Sequence, residues 1–461
     1  MAAGYPPGPP PITTRSYDVP AILFGASPAA AVPGRGANSS GVQSSLTPAV
    51  AHTELGYCAP LPLFPPCERD PMPIAQLEGL SPEALRDRKS EKWNSYPADV
   101  LPAWVAEMDF PLAPPIRRYL DQAIESSDIG YPIHPSTTGL REVFSERMST
   151  HFDWNIEPRE IEILSEVVQG IYLGLHSFAS QGEGIVVQTP IYPPFLHSVE
   201  DSGMRLADNP LQQSSTGWEI DFDALGQLSD PSLRVFLLCN PHNPSGRAYT
   251  RSELEGLADF ALRNDLVVIS DEIHADLLFD GKKHIPFASL SPEIAAKTIT
   301  LSSASKAFNI PGLRCAIAHF GAPALRRRFN TSLPRHIRGG MGILGLYASI
   351  VAWREGEPWL DEVRAHLESN RDYLLKELTA RIPEIVYHKP DATYLAWLDC
   401  SQLGLDDAPA EFFIRHGRVA LSEGSNFGAD FKDFARLNFA TSREILQEVI
   451  DRMVLALESR S

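Results

Sequence analysis

The chain has 461 residues, of which 43% are hydrophobic and 21% are charged, a composition typical of a globular protein that is too long for one compact core. Its formal net charge of −18 argues against a nucleic-acid or anionic-membrane surface, because binding to phosphates needs clustered lysine and arginine. No apolar run approaches the ~18 residues that a membrane span needs. No basic stretch precedes an apolar core near the N-terminus, so the sequence predicts no signal peptide.

The first 75 residues differ in composition from the remainder. They contain 15 of the 40 prolines and no lysine. Such a segment buries too little apolar surface to offset the entropy lost on ordering. We therefore predict that residues 1–75 form a proline-rich, largely disordered extension.

From residue 76 onward the pattern alternates between helices and strands. Amphipathic stretches such as "PPIRRYLDQAIESS" and "GLREVFSERMSTHF" predict helices. Short apolar runs predict buried strands: "GIVVQTP", "RVFLLCN", "DLVVISD", "TITLSSA" and "CAIAHF". This alternation indicates an α/β fold with a mostly parallel sheet that is covered by helices on both faces.

Polar residues follow several of these strands. Ligands bind at the carboxyl ends of strands in such sheets, so we expect these residues to share one crevice. They include an amide, a carboxylate, an imidazole, an ammonium group, hydroxyls and an aromatic ring: Asn243, Asp271, His274, Lys306, Ser303, Ser305 and Tyr192. This combination suits an anionic, aromatic cofactor that contains nitrogen.

The cysteines indicate neither a disulfide framework nor a metal site. They are odd in number, widely separated and without metal-ligand spacing: Cys58, Cys67, Cys239, Cys315 and Cys400. We therefore predict reduced thiols in a cytoplasmic protein that holds no metal.

The order of several motifs resembles fold-type I enzymes that use pyridoxal 5'-phosphate (PLP), the aspartate aminotransferase superfamily. The resemblance begins near Lys92 and runs to the C-terminus. Within that superfamily the chain resembles the MalY/PatB-type branch of cystathionine β-lyases and related carbon–sulfur lyases. The motifs that carry this resemblance are "KWNSYPADVLPAWVAEMDFPLAPPI", "GYP", "TPIYPPF", "NPHNPSG", "SDEIHADL", "SASKAFNIPGLR" and "ARLNFA".

The resemblance implies a domain plan. Residues 76–125 would form an N-terminal arm and part of the small domain, and residues 126–335 the large PLP-binding domain. Residues 336–461 would form a smaller α/β C-terminal domain.

The resemblance also implies roles around the cofactor ring. Lys306 would form a Schiff base with PLP and, once released by substrate, would remove the α-proton. Asp271 would keep the pyridine nitrogen protonated. Asn243 and His274 would contact the phenolic oxygen, and Tyr192 would lie against the ring face. The alternatives are structural: a surface lysine, a helix N-cap, a turn asparagine, a core histidine and a core tyrosine.

The cofactor phosphate would be held by hydroxyls, an arginine and backbone N–H groups at a helix start. The candidates are Ser303, Ser305, Arg314, Val167 and Val168. The family usually has glycine where this chain has Glu166. We expect the Glu166 carboxylate to turn away from the phosphate and pair with a cation or backbone donor elsewhere, because like charges repel.

Two further residues would complete the site. Arg436 resembles the arginine that binds the substrate α-carboxylate; a structural salt bridge is its alternative. Tyr131 resembles a tyrosine that reaches toward the phosphate of a partner subunit, so the resemblance implies a homodimer with a shared active site.

The resemblance to the lyase branch implies β-elimination on cystathionine, cysteine or a cysteine S-conjugate, which yields a thiol, pyruvate and ammonia. An aminotransferase needs the same residues and remains the alternative. A non-catalytic binding protein would have no need for Lys306, Asp271, Asn243 and Arg436 together.

Overall fold

The predicted alternation of helices and strands is present in a computed structural model, which describes residues 75–134, 137–228, 230–334 and 336–460. The predicted extension at residues 1–75 lies outside the described residues, apart from its last residue. So do Cys58 and Cys67.

The helices are numbered in chain order. They are α1 (Ala75–Glu78), α2 (Pro82–Arg86), α3 (Glu91–Asn94), α4 (Pro114–Glu125), α5 (Leu140–Phe152), α6 (Val167–Phe178), α7 (Pro193–Asp201), α8 (Phe222–Gln227), α9 (Arg251–Arg263), α10 (Pro292–Ala295), α11 (Pro323–Ser332), α12 (Ile343–Glu355), α13 (Glu357–Arg381), α14 (Pro409–Phe412) and α15 (Arg443–Glu458). Both helices predicted from the sequence are confirmed, as α4 and α5.

The strands are β1 (Leu101–Pro102), β2 (Ile161–Leu164), β3 (Gly184–Val187), β4 (Arg205–Asp208), β5 (Gln212–Ser214), β6 (Gly217–Glu219), β7 (Leu233–Cys239), β8 (Val267–Asp271), β9 (Thr298–Ser302), β10 (Ala316–Phe320), β11 (Val386–Tyr387), β12 (Leu395–Asp399), β13 (Val419–Ala420), β14 (Ser422–Glu423) and β15 (Phe434–Asn438). All five predicted strands are confirmed, as β3, β7, β8, β9 and β10.

The main sheet is mostly parallel, as predicted. Within the described ranges it has seven strands in the order β2-β10-β9-β8-β7-β3-β4, and β10 runs antiparallel to both of its neighbours. Strands β7, β8 and β9 lie side by side and in parallel, with Cys239 opposite Asp271 and Asp271 opposite Leu301. Their carboxyl ends therefore meet at one edge of the sheet.

Helix α6 lies directly against this sheet because it has glycine where the contact is closest. A Cβ atom at Gly170 would lie 2.8 Å from Leu301 Cδ2, and one at Gly174 would lie 2.5 Å from Ile269 Cδ1. A larger residue at either position would force the Leu301 or Ile269 side chain to move from its packed position. The close contact places the N-terminus of α6 beside the ends of β8 and β9.

A smaller antiparallel sheet lies in the C-terminal part of the chain, in the order β11-β12-β15-β14. Strand β1 pairs in parallel with β13, which links residues 101–102 to residues 419–420. The main sheet uses strands from residues 161 to 320 and the smaller one strands from residues 386 to 438. The domain boundaries at residues 125/126 and 335/336 remain a prediction.

None of the helices in the described part of the chain is long and apolar enough to span a membrane. Among the same residues, no group of three or more His, Cys, Asp or Glu side chains is placed to hold a metal ion.

A buried ion pair joins α3 to the irregular stretch that follows β1. Lys92 Nζ lies 2.9 Å from Asp109 Oδ2, and each side chain is 1% exposed. Lys92 Nζ also donates to the Glu107 carbonyl at 3.1 Å, and Trp93 Nε1 donates to Asp109 Oδ1 at 2.7 Å. Removing one partner would leave the other charge buried without compensation, which is costly.

We predict that Lys92→Met lowers the free energy of unfolding by about 3–5 kcal/mol, since it leaves the Asp109 carboxylate buried and unpaired. Denaturation with urea measures the change. The matched control is Arg117→Met, which removes an exposed ion pair with Asp121 on α4 and should cost less than about 1 kcal/mol. Equal losses in the two variants would contradict the prediction.

Candidate active site

A cavity of about 330 Å³ opens at the carboxyl ends of β7, β8 and β9. Ten of the twelve residues predicted from the sequence line it: Val167, Val168, Tyr192, Asn243, Asp271, His274, Ser303, Ser305, Lys306 and Arg314. The expected crevice therefore exists. It forms there because the loops after three adjacent parallel strands leave the sheet at the same edge.

Lys306 is half-buried in the cavity, four residues beyond the end of β9. Its Nζ donates to the Ala106 carbonyl at 2.8 Å, and the Tyr394 hydroxyl donates to the same oxygen at 2.9 Å. Loss of solvation, together with the positive charge of Arg436, lowers the pKa of Lys306 to about 8. The amine is therefore close to the neutral form that can attack a carbonyl or accept a proton.

Asp271 is the last residue of β8, and its carboxylate is buried. One oxygen accepts the backbone N–H of Ile273 at 3.0 Å. Burial raises the pKa of Asp271 to about 7, despite the opposing effects of that hydrogen bond and of Lys306. A cation placed against this carboxylate would restore its charge, so the geometry suits a protonated ring nitrogen.

His274 follows three residues later and is also buried. Its Nδ1 has no hydrogen-bond partner among the described residues. Its ring lies 6.1 Å, centroid to centroid, from the ring of Tyr394 in an edge-to-face arrangement. Burial lowers its pKa to about 3, so the imidazole is neutral and retains an unused polar atom at the cavity.

Arg436, on β15, lies behind the cavity wall and is buried. It donates to Asn243 Oδ1 at 3.0 Å, to the Trp104 carbonyl at 3.0 Å and to Ser422 Oγ at 3.2 Å. Its guanidinium carbon lies 4.9 Å from the centroid of the Phe427 ring. Its Nε is buried and has no partner among the described residues. None of these partners is a carboxylate, so among the described residues Arg436 does not form the structural salt bridge that was its alternative.

The two serines predicted for the phosphate differ in availability. Ser303 Oγ donates to the Cys315 carbonyl at 2.6 Å and lies 2.9 Å from Ser305 Oγ, and it accepts the backbone N–H of Ser305 at 3.0 Å. The single hydroxyl proton of Ser303 is thus already in use. Of the two, Ser305 is the better placed to donate to a phosphate.

The start of α6 forms one end of the cavity. Glu166 is the N-cap residue of this helix, but its carboxylate makes no capping hydrogen bond. The first N–H groups of the helix, at Val167 and Val168, therefore receive no side-chain cap from Glu166. Such N–H groups, together with the helix dipole, favour an anion.

The Glu166 carboxylate pairs with a cation, as expected, but that cation is the predicted phosphate ligand itself. Arg314 Nη1 donates to Glu166 Oε2 at 2.8 Å. The expectation that Glu166 pairs elsewhere is therefore wrong. The physical reason is proximity: the turn Pro311–Leu313 and the N-terminus of α6 both border the cavity, so Arg314 is the nearest cation to Glu166 among the lining residues.

Tyr131 lies outside this cavity and is fully exposed. It lines a separate cavity of about 810 Å³ with residues of α4 and α12. Tyr131 therefore does not line the active-site cavity of its own chain, and its predicted role toward a partner subunit stays a prediction.

Several residues at the site were not singled out from the sequence. The backbone segment 104–109 supplies the Ala106 and Trp104 carbonyls, and Tyr394 and Ser422 come from the C-terminal part of the chain. Backbone acceptors carry no signal in a sequence. Tyr394 was visible in "PDATYLAW", but nothing local indicates that its hydroxyl reaches Ala106.

The described residues fit PLP. The phosphate end has helix N–H groups, Ser305 and Arg314, and the ring end has the Asp271 carboxylate and the unpartnered Nδ1 of His274. Lys306 stands between them with a lowered pKa. The donor set therefore matches an anionic pyridine that carries an aldehyde.

Comparison with known proteins agrees with this geometry. The family model for aminotransferase class I and II matches residues 131–453. The cystathionine β-lyase PatB of Bacillus subtilis is 37% identical over 361 residues, which are 78% of this chain and 93% of that protein.

Two solved structures extend the agreement to the fold. The crystal structure of OvoB has a TM-score of 0.77 and 40% identity, and the match covers 81% of this chain and 97% of that one. Cystalysin from Treponema denticola, whose crystal structure contains a PLP cofactor, has a TM-score of 0.77 and 30% identity over 82% of this chain and 98% of its own. The chain thus belongs to the aminotransferase class I and II family of PLP-dependent fold-type I enzymes and, within it, to the MalY/PatB-type branch.

Proposed function

We propose that the chain is a PLP-dependent carbon–sulfur lyase that acts by β-elimination on cystathionine, cysteine or a cysteine S-conjugate. The observation that carries the proposal is the placement of Lys306, with its lowered pKa, in one cavity with the buried Asp271 and beside the buried Arg436. The name of the relative PatB, a cystathionine β-lyase, supports this choice of reaction.

Residues at both ends of the cavity would hold the cofactor, one set at its ring and another at its phosphate. PLP, when bound, supplies an electron sink that stabilises negative charge at the substrate Cα. Asp271 would face the ring nitrogen, Asn243 and His274 the phenolic oxygen, and Tyr192 the ring face. The phosphate would be met by Ser305, Arg314 and the N–H groups of Val167 and Val168, with Ser303 supporting Ser305.

Lys306 would move the proton. Its lowered pKa lets the neutral amine accept the proton from the substrate Cα at neutral pH. Its Nζ already lies 2.8 Å from the Ala106 carbonyl, an acceptor that stabilises the ammonium form. The lysine can therefore hold the proton near the reacting carbon until the leaving thiolate takes it up.

Arg436 would orient the substrate. It is held from three sides by Asn243, the Trp104 carbonyl and Ser422, and its Nε remains available among the described residues. A carboxylate bound to a buried guanidinium makes strong, charge-assisted hydrogen bonds. Fixing the α-carboxylate there would direct the Cα–H bond toward Lys306.

The assay that tests the proposal omits any keto acid. We predict that the PLP-loaded protein releases free thiol and pyruvate in equal amounts from cystathionine or an S-substituted cysteine. A thiol reagent measures the first product and lactate dehydrogenase the second. Turnover that depends on an added keto acid, without thiol release, would identify an aminotransferase instead.

The covalent role of Lys306 gives a second prediction. The attachment of PLP to the lysine needs the neutral amine, so its rate should rise with pH and level off above about pH 8. Stopped-flow absorbance measures the rate. Borohydride reduction should then fix a pyridoxyl group on the peptide that contains Lys306.

The matched variant is Arg436→Gln. It removes a positive charge that lowers the pKa of Lys306, so the midpoint of the rate profile should move to higher pH. Label on another lysine, or the same midpoint in both proteins, would contradict the assignment.

We also propose that the protein is a homodimer with a shared active site. Apolar side chains that a monomer exposes to solvent occur in the sequence around Tyr131: Ile124, Ile129 and Ile133. Tyr131 is fully exposed beside them and lines the cavity with residues of α4 and α12. Clustered exposed apolar residues indicate a contact surface. A second copy on this surface would bring its own Tyr131 toward the phosphate end of the first.

Subunit mixing tests the dimer. Lys306→Ala should be inactive and Tyr131→Ala weakly active, whereas the mixed dimer regains one complete site. We therefore predict that the mixture, after reversible dissociation, turns over faster than the average of the two parents. Light scattering measures the mass of each species, and a monomeric wild-type protein would contradict the proposal.

We further propose a cytoplasmic location. The cysteines within the described residues, Cys239, Cys315 and Cys400, are free and buried. Free thiols persist in a reducing compartment.

A further inference from the structure

The ion pair between Arg314 and Glu166 lies at the end of the cavity where the cofactor phosphate would bind. Arg314 Nη1 lies 2.8 Å from Glu166 Oε2, and the two side chains are 66% and 44% exposed. Pairs that remain this accessible to water contribute little to folding stability. The pair is therefore free to be broken or rearranged when another anion arrives.

The same end of the cavity has little positive charge to share. Among the described residues that line the whole cavity, Lys306 and Arg314 are the cations, whereas Glu91, Glu166 and Asp271 carry carboxyl groups. Lys306 Nζ donates to the Ala106 carbonyl at 2.8 Å. Arg314 is thus the cation that a phosphate at this end would use, and a carboxylate already neutralises it.

We propose that Glu166 competes with the cofactor phosphate for Arg314, so that PLP binds more weakly and leaves more readily than it would with an uncharged residue at position 166. This inference rests on the proposed function, because it takes PLP as the occupant of the cavity. The competition is one of charge. A guanidinium has other N–H groups to offer, but a dianion and a carboxylate on one cation repel each other.

The position of Glu166 makes this competition local. As the N-cap residue of α6, it precedes Val167 and Val168, whose N–H groups would bind the same phosphate. Its carboxylate caps none of them, and it lies on Arg314 instead. The N–H groups at the start of α6 attract the phosphate, whereas the carboxylate of the N-cap residue Glu166 repels it.

The test is the affinity of the cofactor-free protein for PLP, measured by absorbance or fluorescence titration. Glu166→Gln should bind PLP about tenfold more tightly than the wild type, and PLP should dissociate correspondingly more slowly. The matched control is Glu91→Gln. It removes another carboxylate that lines the same cavity but makes no ion pair with Arg314 among the described residues, and its affinity should stay within about threefold of the wild type.

Two further measurements locate the effect. Pyridoxal, which lacks the phosphate, should bind equally well to the wild type and to Glu166→Gln. In an Arg314→Met background, Glu166→Gln should change PLP affinity by less than about threefold, because the shared cation is gone.

The outcomes separate the inference from the proposed function. Unchanged or weaker PLP binding by Glu166→Gln overturns the inference alone, as does an equal gain for pyridoxal or a tenfold gain that persists without Arg314. A wild-type protein that binds no PLP overturns the proposed function and this inference together.

Discussion

The active site depends on one irregular backbone segment, residues 104–109, which is held by side chains from distant parts of the chain. Arg436 and Ser422 donate to the Trp104 carbonyl, and Lys306 and Tyr394 to that of Ala106. Asn438 donates to the carbonyls of Val105 and Glu107. Lys92 also donates to the Glu107 carbonyl, and Asn309 donates to that of Met108. A buried carbonyl left unpaired costs about 1–3 kcal/mol. The segment therefore ties the main sheet, the smaller sheet and the N-terminal helices to one geometry.

The two ends of the cavity differ in how far their charged side chains are exposed to solvent. At the ring end, Asp271, His274 and Arg436 are buried. The loss of solvation raises the pKa of Asp271 and lowers those of His274 and Arg436, so it favours the neutral form of each side chain. A charged ligand group at this end would interact strongly with these side chains, because little water screens the interaction. At the phosphate end, Arg314 and Glu166 remain in contact with water. If the proposed roles hold, proton transfer would take place at the buried end and exchange of the cofactor at the exposed end.

The sequence alone was sufficient for the fold class and for most of the cavity lining. The five apolar runs became strands of the main sheet because each is short, continuous and apolar, so burial on both faces was the consistent outcome. The residues at the carboxyl ends of β7, β8 and β9, among them Asn243, Asp271 and Lys306, then had to meet at one edge. These three strands are parallel neighbours, so their carboxyl ends lie side by side.

The tertiary structure decided what depends on contacts between residues far apart in the chain. It placed Arg436 on Asn243, 193 positions away, and Lys306 on the Ala106 carbonyl, 200 positions away. It also paired Glu166 with Arg314, 148 positions away in the chain. The sequence had led us to expect a partner away from the phosphate ligands. Local pattern records which face of an element is buried, but it does not record which charges end up as neighbours. The pairing of charges, and with it the pKa of Lys306, therefore belongs to the fold as a whole.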